Sequence, residues 1–287
     1  MPWNKLAQRA SRASHDLVGW IFWDPQAINN YADLGVPDGA GYYVATRFGP
    51  LAAAGNEVVA ATAYSINPVF LGMALDICRQ HTDFSSATAA RDAAVVPGLN
   101  RIDPAIAERL APLAEPLWTV ADQLHSGARA LFAAHRAQPR PGDDQLALSA
   151  WLAVNCLREW RGDTHWALCA AADLDAAEVG LLNNAMVEGY DAEWIARSRG
   201  ADDHAIDQGW RRLAAKGFAA NRSLTDAGQR FRQELEDHTD QLCGQMWQLL
   251  SESLTVELCE LAEPHHQAFL DRIDATAGPL WMPAARN

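Results

Sequence analysis

The sequence predicts a mainly α-helical fold with a winged helix-turn-helix in its C-terminal half, from about Asp191 to Leu242. Apolar residues recur at helical spacing through most of the chain. Between 191 and 242, two short helical segments and an extended hairpin precede a long helix, which is the element order of a winged helix. Hydrophobic residues make up 49% of the chain and charged residues 21%, a composition typical of globular proteins.

The first half is predicted to be helical, with a loop near its start. The segment from Trp3 to Trp23 has apolar residues at helical spacing and ends before Pro25. Gly35 to Gly41 is dense in glycine and proline, so we predict a loop there. Further helical patterns occupy Pro50 to Ala63, the residues after Pro68, the residues after Ser85, and Pro104 to about His135.

A linker is predicted at Gln138 to Asp144, which contains two prolines, a glycine and charged residues. We therefore predict a helical N-terminal domain at 1–137 and, at 145–287, a winged-helix domain with long dimerisation-type helices. The elements predicted for the second domain are helices from Gln145 through His165 and from about Asp173 through Met186, short helices at Asp191 to Arg199 and Asp202 to Lys216, a hairpin at Phe218 to Leu224, and a long helix capped by Thr225.

The two halves can be aligned in part. Gly49 to Ala54 matches Trp166 to Ala171, and Ala90 to Leu99 matches Gly209 to Phe218. Either the chain holds a duplicated module, with a degenerate winged-helix repeat at 1–137 that forms a pseudo-dimer within one chain, or alanine-rich helices resemble one another by chance. We therefore expect either a monomer of this kind or a homodimer.

Charge and cysteine content restrict the class of protein. The formal net charge is −13, whereas proteins whose main partner is a polyanion are usually basic. Five scattered cysteines form no CxxC pair, which favours free thiols in a reducing cytoplasm. The apolar run from Leu17 to Trp23 is short and no cleavage site follows it, so we predict a cytoplasmic protein without a signal peptide or a membrane span.

Two motifs resemble known families. Trp210 to Phe218, followed by Leu224-Thr225-Asp226-Ala227-Gly228, resembles the recognition helix and wing of MarR regulators. Arg158-Glu159-Trp160-Arg161-Gly162-Asp163-Thr164-His165 resembles the RExRGDxH motif of an actinobacterial family of MarR-like helix-turn-helix proteins, as do Glu236 to Asp240, His15 and Arg47 to Leu51. The resemblance implies a degenerate MarR-type winged helix that holds a ligand between its long helices and its winged lobe. Trp160 and Trp166 stand where that family has smaller residues, which implies an altered pocket.

The predicted recognition helix is poorly suited to DNA. Its N-terminal end, which would enter the major groove, carries Asp202, Asp203 and Asp207. Carboxylates at that end would face the phosphate charge of DNA, although Asp202 and Asp203 also suit the cap of a helix. From 191 to 232 the chain has eight Lys or Arg and six Asp or Glu, so the local charge is near neutral. These features argue against specific DNA binding.

Charged residues are dense between 158 and 165. Glu159 and Asp163 are spaced i and i+4, so a helix places two like charges on one face, at a cost of roughly 0.2–0.5 kcal/mol. Either an ion pair with an arginine such as Arg47 offsets this repulsion, or the two carboxylates share a proton and one pKa rises to suit acid–base chemistry. His165 lies near Arg158 and Arg161, which favour its neutral form. It is either a core histidine or an acid–base group.

We predict a composite site between the two halves. His165, Asp163 and Glu159 are its candidate catalytic residues, with His165 as the acid–base group oriented by either carboxylate. The candidate substrate-binding residues supply aromatic walls and arginines for a carboxylate or phenolate; they are His15, Tyr43, Arg47, Arg161, Trp160 and Trp166. No metal site is predicted, because HExxH and Cys/His spacings are absent, and no cofactor is identified.

Three functions are compatible with this site. The first is a protein that binds an aromatic or anionic small molecule; this interpretation includes an enzyme of specialised metabolism that acts on such a ligand. The second is a ligand-responsive MarR-type transcriptional regulator, which a basic face around Arg197, Arg199, Arg211 and Arg212 would favour. The third is a partner-binding protein without chemistry.

Overall fold

A computed structural model describes residues 3–184, 191, 193–283 and 286, and shows a mainly α-helical bundle with a small winged-helix lobe. The helices of the first half are α1 (Trp3–Gly19), α2 (Pro25–Ala32), α3 (Tyr42–Phe48), α4 (Asn56–Ala63), α5 (Pro68–His81), α6 (Phe84–Ile102), α7 (Pro104–Leu110), α8 (Ala114–Gln123) and α9 (Ala130–Arg136). The second half contains α10 (Leu146–Ala171), α11 (Ala176–Asn184), α12 (Trp194–Ser198), α13 (Asp203–Ala215), β1 (Ala219–Ala220), β2 (Ser223–Leu224), α14 (Asp226–Leu250), α15 (Glu252–Ala262) and α16 (His266–Ala277).

Helix α10 is the centre of the bundle. It packs against α1, α8, α9 and α14, and α1 packs in turn against α14 and α15. One buried indole fixes α10 against α1, because Trp151 of α10 donates to the carbonyl of Leu17 at 2.8 Å. Trp20, in the turn that follows α1, donates to the same carbonyl at 2.9 Å. The main hydrophobic core extends from Leu6 to Ile273, so both halves of the chain contribute to one core. The linker lies outside it, and the predicted division into domains stays a prediction.

The winged-helix lobe consists of α11 to α13, the hairpin and the start of α14, with its own hydrophobic cluster. Its two strands are antiparallel and joined by Asn221 and Arg222, which both have positive φ, as a tight hairpin turn requires. The hydroxyl of Thr225 accepts from the N–H of Gly228 at 3.2 Å, which confirms the predicted cap. A side chain at Gly228 would lie 2.1 Å from the carbonyl oxygen of Phe218, so the wing needs glycine there.

The lobe is held to the first half by the connection between α4 and α5. Tyr64 stacks on Trp166, with 5.3 Å between the ring centroids, and its hydroxyl donates to the carbonyl of Leu174. Asn67 donates from its side chain to the carbonyl of Gly200 at 2.9 Å, and its backbone N–H donates to the carbonyl of Arg199 at 2.8 Å. The turn that leads into α13 is therefore fixed against the first half.

Most predicted elements are present, with differences in where helices begin and end. The helical pattern from Pro104 to about His135 is divided into α7, α8 and α9. The segment Trp3 to Trp23 divides at Gly19 into α1 and a 3₁₀ turn, and Pro50 to Ala63 begins in a 3₁₀ turn. The end predicted at Met186 lies outside the described residues. Gly49 to Ala54 is 3₁₀ while its aligned partner, Trp166 to Ala171, is the end of α10, so this alignment does not support the duplication, which stays a prediction. None of the helices in the described ranges is long and apolar enough for a membrane crossing.

Candidate ligand-binding site

Helix α10 presents the predicted charged motif to two different surroundings. Arg158, Arg161 and His165 are spaced i, i+3 and i+7 and face a cavity of about 180 Å³ between the first half and the winged-helix lobe. We call it the arginine cavity. Its other lining residues are His15, Tyr43, Arg47, Gly162, Trp166, Asn183, Ile195, Arg199, Arg232, Glu236, Met282 and Pro283. Six of the nine predicted site residues therefore line one cavity: His15, Tyr43, Arg47, Arg161, His165 and Trp166.

Glu159 lies beside this cavity as the centre of a buried ion cluster. Arg47 donates to both of its carboxylate oxygens, at 2.9 and 2.8 Å, and Arg158 donates to the same group. Burial alone would raise the pKa of Glu159, but Arg158 and Arg47 hold it well below the ordinary value. The predicted ion pair with Arg47 is confirmed. Guanidinium groups occupy both oxygens of Glu159, so this geometry does not support its predicted catalytic role, which stays a prediction.

Asp163 and Trp160 face away from the cavity. Asp163 accepts from the backbone N–H of Phe132 at 2.9 Å and so anchors the start of α9. Burial raises the pKa of Asp163 to about 7. Trp160 donates to the carbonyl of His125 at 3.1 Å, and the Arg129 guanidinium lies 4.2 Å from its ring. Neither residue lines the arginine cavity, because α10 turns both side chains into the bundle. This geometry does not support the predicted roles of Asp163 in catalysis and of Trp160 in substrate binding, which stay predictions.

His165 is oriented by α14 and not by Asp163 or Glu159. The hydroxyl of Thr239 donates to the carbonyl of Leu235 at 2.8 Å, so the 3.1 Å contact between His165 Nδ1 and Thr239 requires Nδ1 to carry the proton. The Glu236 carboxylate, 3.7 Å from Nδ1, favours the same tautomer. Burial, with help from Arg161, lowers the pKa of His165 to about 4. The predicted neutral imidazole is confirmed, and its Nε2 is left as an acceptor.

Positive charge is in excess around the cavity. Five arginines line it, while the carboxylates that pair with them are Glu159, Glu236 and Asp240. Arg161 donates to Glu236 and Asp240, both at 2.9 Å. Burial raises the pKa of Glu236, but Arg161 and Arg232 outweigh it and lower the pKa to about 2. The site therefore holds more guanidinium charge than its carboxylates neutralise.

Arg199 is the cation that these carboxylates leave unpaired. It makes no ion pair within the described residues, and its buried Nη1 has no hydrogen-bond partner there. Arg232 Nη1 and His15 Nδ1 are likewise buried without partners. Burial, followed by the charges of Arg158 and Arg161, holds the pKa of His15 well below its usual value, which favours the neutral imidazole. These unsatisfied groups are available to a ligand.

A second cavity, of about 380 Å³, adjoins the first. We call it the aromatic cavity, because seven of its described lining residues carry aromatic rings. The two cavities share Tyr43, Ile195, Arg199, Met282 and Pro283. The rings that line it are Phe22, Trp23, Tyr42, Tyr43, Phe70, Trp194 and Trp281.

The predicted site contained no residue of α14, although Glu236 to Asp240 was among the segments that resemble the MarR-like family. Arg232, Glu236 and Asp240 are spaced by four residues, so one face of the helix carries one base and two acids that meet Arg161. This spacing is visible in the sequence and could have identified them. Arg199 gives no such signal, because only the packing of α12 against the first half directs it into the cavity.

No group of three or more His, Cys, Asp or Glu side chains is placed to hold a metal ion among the described residues. His15 and His165 meet mainly arginines in the cavity, and Glu236 is the one carboxylate in its described lining. The geometry therefore suits an anionic ligand better than a cation.

A model of a helix-turn-helix family matches residues 7–276. The chain belongs to this helix-turn-helix family. The match covers nearly all of both halves, and it agrees with the predicted mainly α-helical fold with a helix-turn-helix. No curated protein and no solved structure matches the chain. The finer MarR-like assignment and its motif stay predictions.

Proposed function

We propose that this helix-turn-helix protein binds a small organic anion, such as a carboxylate or phenolate, in the arginine cavity. The observation that carries the proposal is Arg199, a cation with a buried donor that no carboxylate balances in the described residues. Leaving a buried charge without a partner is costly, so the site gains free energy when an anion enters. The donors of Arg232 and His15 lie in the same cavity and can complete its coordination.

Benzoate and its neutral counterpart benzamide test this proposal by titration calorimetry. We expect benzoate to bind and benzamide not to bind, and we expect Arg199→Gln to weaken benzoate binding at least about tenfold, since a hydrogen bond to a charged group contributes roughly 1.5–3 kcal/mol. Arg211→Gln is the matched control, because Arg211 is exposed on the same lobe and donates to the backbone of its own helix. Equal binding of benzoate and benzamide would overturn the proposal.

Acid–base catalysis in the same cavity is the second candidate function. It is supported by His165, whose Nε2 is a free acceptor in a neutral ring that α14 holds in one tautomer. In an enzyme of specialised metabolism, this nitrogen would take a proton from the bound ligand. Thr239 would orient the imidazole, the role predicted from the sequence for Asp163 or Glu159.

His165→Ala separates chemistry from packing. Extracts of small metabolites incubated with the wild type and with the variant would be compared by mass spectrometry. If His165 is the base, we expect conversion to be slower by about 10²–10⁴-fold at an unchanged melting temperature. Normal conversion with a lowered melting temperature, from a lost hydrogen bond of roughly 1–3 kcal/mol, would assign His165 to packing instead.

We infer that the winged-helix lobe does not read a specific DNA sequence. Asp202 accepts from the N–H of Ala205 at 2.8 Å as the cap of α13, and the side chain of Asp203 is 88% exposed at the same end. Two of the four arginines expected to form a DNA-binding face are neutralised, since Arg197 pairs with Glu193 and Asp203, and Arg212 with Glu178. Arg199 lines the arginine cavity instead, which leaves Arg211.

Fluorescence anisotropy with DNA from the protein's own promoter region tests this inference at moderate salt. We expect weak binding that does not depend on sequence. A specific complex tighter than roughly 10⁻⁸ M, which is usual for dedicated readers, would instead support the ligand-responsive regulator.

A further inference from the structure

The arginine cavity and the aromatic cavity differ in what they can hold. The first, at about 180 Å³, has room for a polar group but not for a drug-sized molecule, for which sites usually measure about 300–1,000 Å³. The second, at about 380 Å³, has that room, but Arg199 is the only guanidinium that its described lining contains. Because Arg199 lines both cavities, its positive charge borders the aromatic cavity as well as the arginine cavity.

The wall of the aromatic cavity is built from ring contacts. Trp23 stacks on Tyr43, with 5.8 Å between ring centroids and 12° between ring planes, and also contacts Trp281 at 4.7 Å. Trp194 meets Trp281 edge to face at 5.3 Å. The buried Nε1 of Trp23 has no hydrogen-bond partner in the described residues. Flat aromatic surfaces of this kind favour a planar, ring-containing ligand, which packs face or edge against them.

From this we infer that the ligand is an amphiphilic aromatic anion that spans both cavities, with its acidic group at Arg199 and its rings in the aromatic cavity. The inference rests on the proposed anion-binding function and adds the chemical class of the ligand's body. The two cavities share Tyr43, Ile195, Arg199, Met282 and Pro283, so they are adjacent, and a ligand whose acidic group binds Arg199 can place its rings in the aromatic cavity.

A series of probes with one charge and increasing ring number tests the inference by calorimetry. We expect affinity to rise about tenfold per added ring from benzoate to 1-naphthoate to 9-anthracenecarboxylate, because each ring buries further apolar surface. Decanoate serves as the aliphatic comparison and should bind at least about tenfold more weakly than 9-anthracenecarboxylate.

A matched pair of variants on α5 locates the rings. Phe70 lines the aromatic cavity and is 53% exposed, so Phe70→Ala should leave the fold intact. We expect this variant to bind 9-anthracenecarboxylate about threefold to tenfold more weakly and to bind benzoate with unchanged affinity. Val69→Ala is the control, because Val69 is 70% exposed and does not line the cavity. Trp281→Ala should give a larger loss in the same direction.

The outcomes separate the two proposals. If benzoate binds through Arg199 but affinity stays flat along the ring series, the present inference is overturned while anion binding stands. If decanoate equals 9-anthracenecarboxylate, the aromatic class is overturned. If no anion binds, the proposed function fails, and this inference fails with it.

Discussion

The arginines of the cavity and those of the winged-helix lobe differ in what balances their charge. On the lobe, Arg222 pairs with Glu193 and Asp207 at the surface, and Arg197 pairs with Glu193 and Asp203. In the cavity, guanidinium groups outnumber carboxylates and Arg199 has none. Carboxylates thus neutralise Arg197 and Arg222 on the surface of the lobe, while the interior keeps an excess of positive charge. This unbalanced charge, rather than the fold, is the basis of the proposed anion site.

The largest expected effect comes from removing the carboxylate that the buried cluster shares. Glu159→Gln leaves Arg47 and Arg158 without their common partner, and breaking a buried pair typically costs about 3–5 kcal/mol. Urea denaturation would measure this loss in the free energy of unfolding. Asp203→Asn is the surface counterpart, and its effect should stay within about 0.5 kcal/mol. Equal losses for both variants would contradict the contrast between the two regions.

Asp163 gives a pH-dependent test of the buried region. Its folded-state pKa of about 7 lies above the unfolded value near 3.8, so the folded protein binds this proton more tightly. Its contribution to stability is therefore present at low pH and is lost as pH rises from about 4 through 7.

Asp163→Asn removes this titration and keeps an oxygen that can accept from Phe132. When the pH rises from 5 to 8, the free energy of unfolding of the variant should increase by roughly 1–3 kcal/mol relative to that of the wild type. Urea denaturation of both proteins at pH 5 and at pH 8 measures this change. A constant difference between the two proteins across this range would show that Asp163 ionises normally.

The smallest effect is expected on the lobe. Arg222→Gln removes two ion pairs of a side chain that is half exposed, and exposed ion pairs contribute little to stability. Thermal denaturation should therefore show a small decrease in melting temperature, and added salt should make this decrease smaller. A decrease as large as that of Glu159→Gln would mean that the wing depends on these surface pairs, and would contradict the contrast between the two regions.

Sequence reasoning identified what depends on local spacing. The helices, the hairpin and the Thr225 cap follow from periodicity and capping chemistry, and the i, i+3, i+7 spacing put Arg158, Arg161 and His165 on one face. The pairing of Arg47 with Glu159 was expected from charge repulsion along one helix.

What depends on packing between distant elements could not be predicted. Whether Asp163 faces the cavity or α9 is set by the rotation of α10 in the bundle, which no residue in the motif specifies. Arg199 enters the cavity because Asn67 fixes the turn before α13, an interaction across 132 residues of chain or more. The aromatic cavity likewise needs Trp23, Trp194 and Trp281 to meet from three separate segments.

The distribution of the cysteines has a practical consequence. All five are free and buried. Cys169 belongs to the hydrophobic cluster of the lobe, whereas Cys78, Cys156, Cys243 and Cys259 belong to the main core. A thiol reagent can reach them only when the surrounding structure opens, so the alkylation rate of each one, resolved by mass spectrometry, reports the opening of its own cluster. Without any substitution, the native chain thus distinguishes local detachment of the lobe from unfolding of the whole bundle.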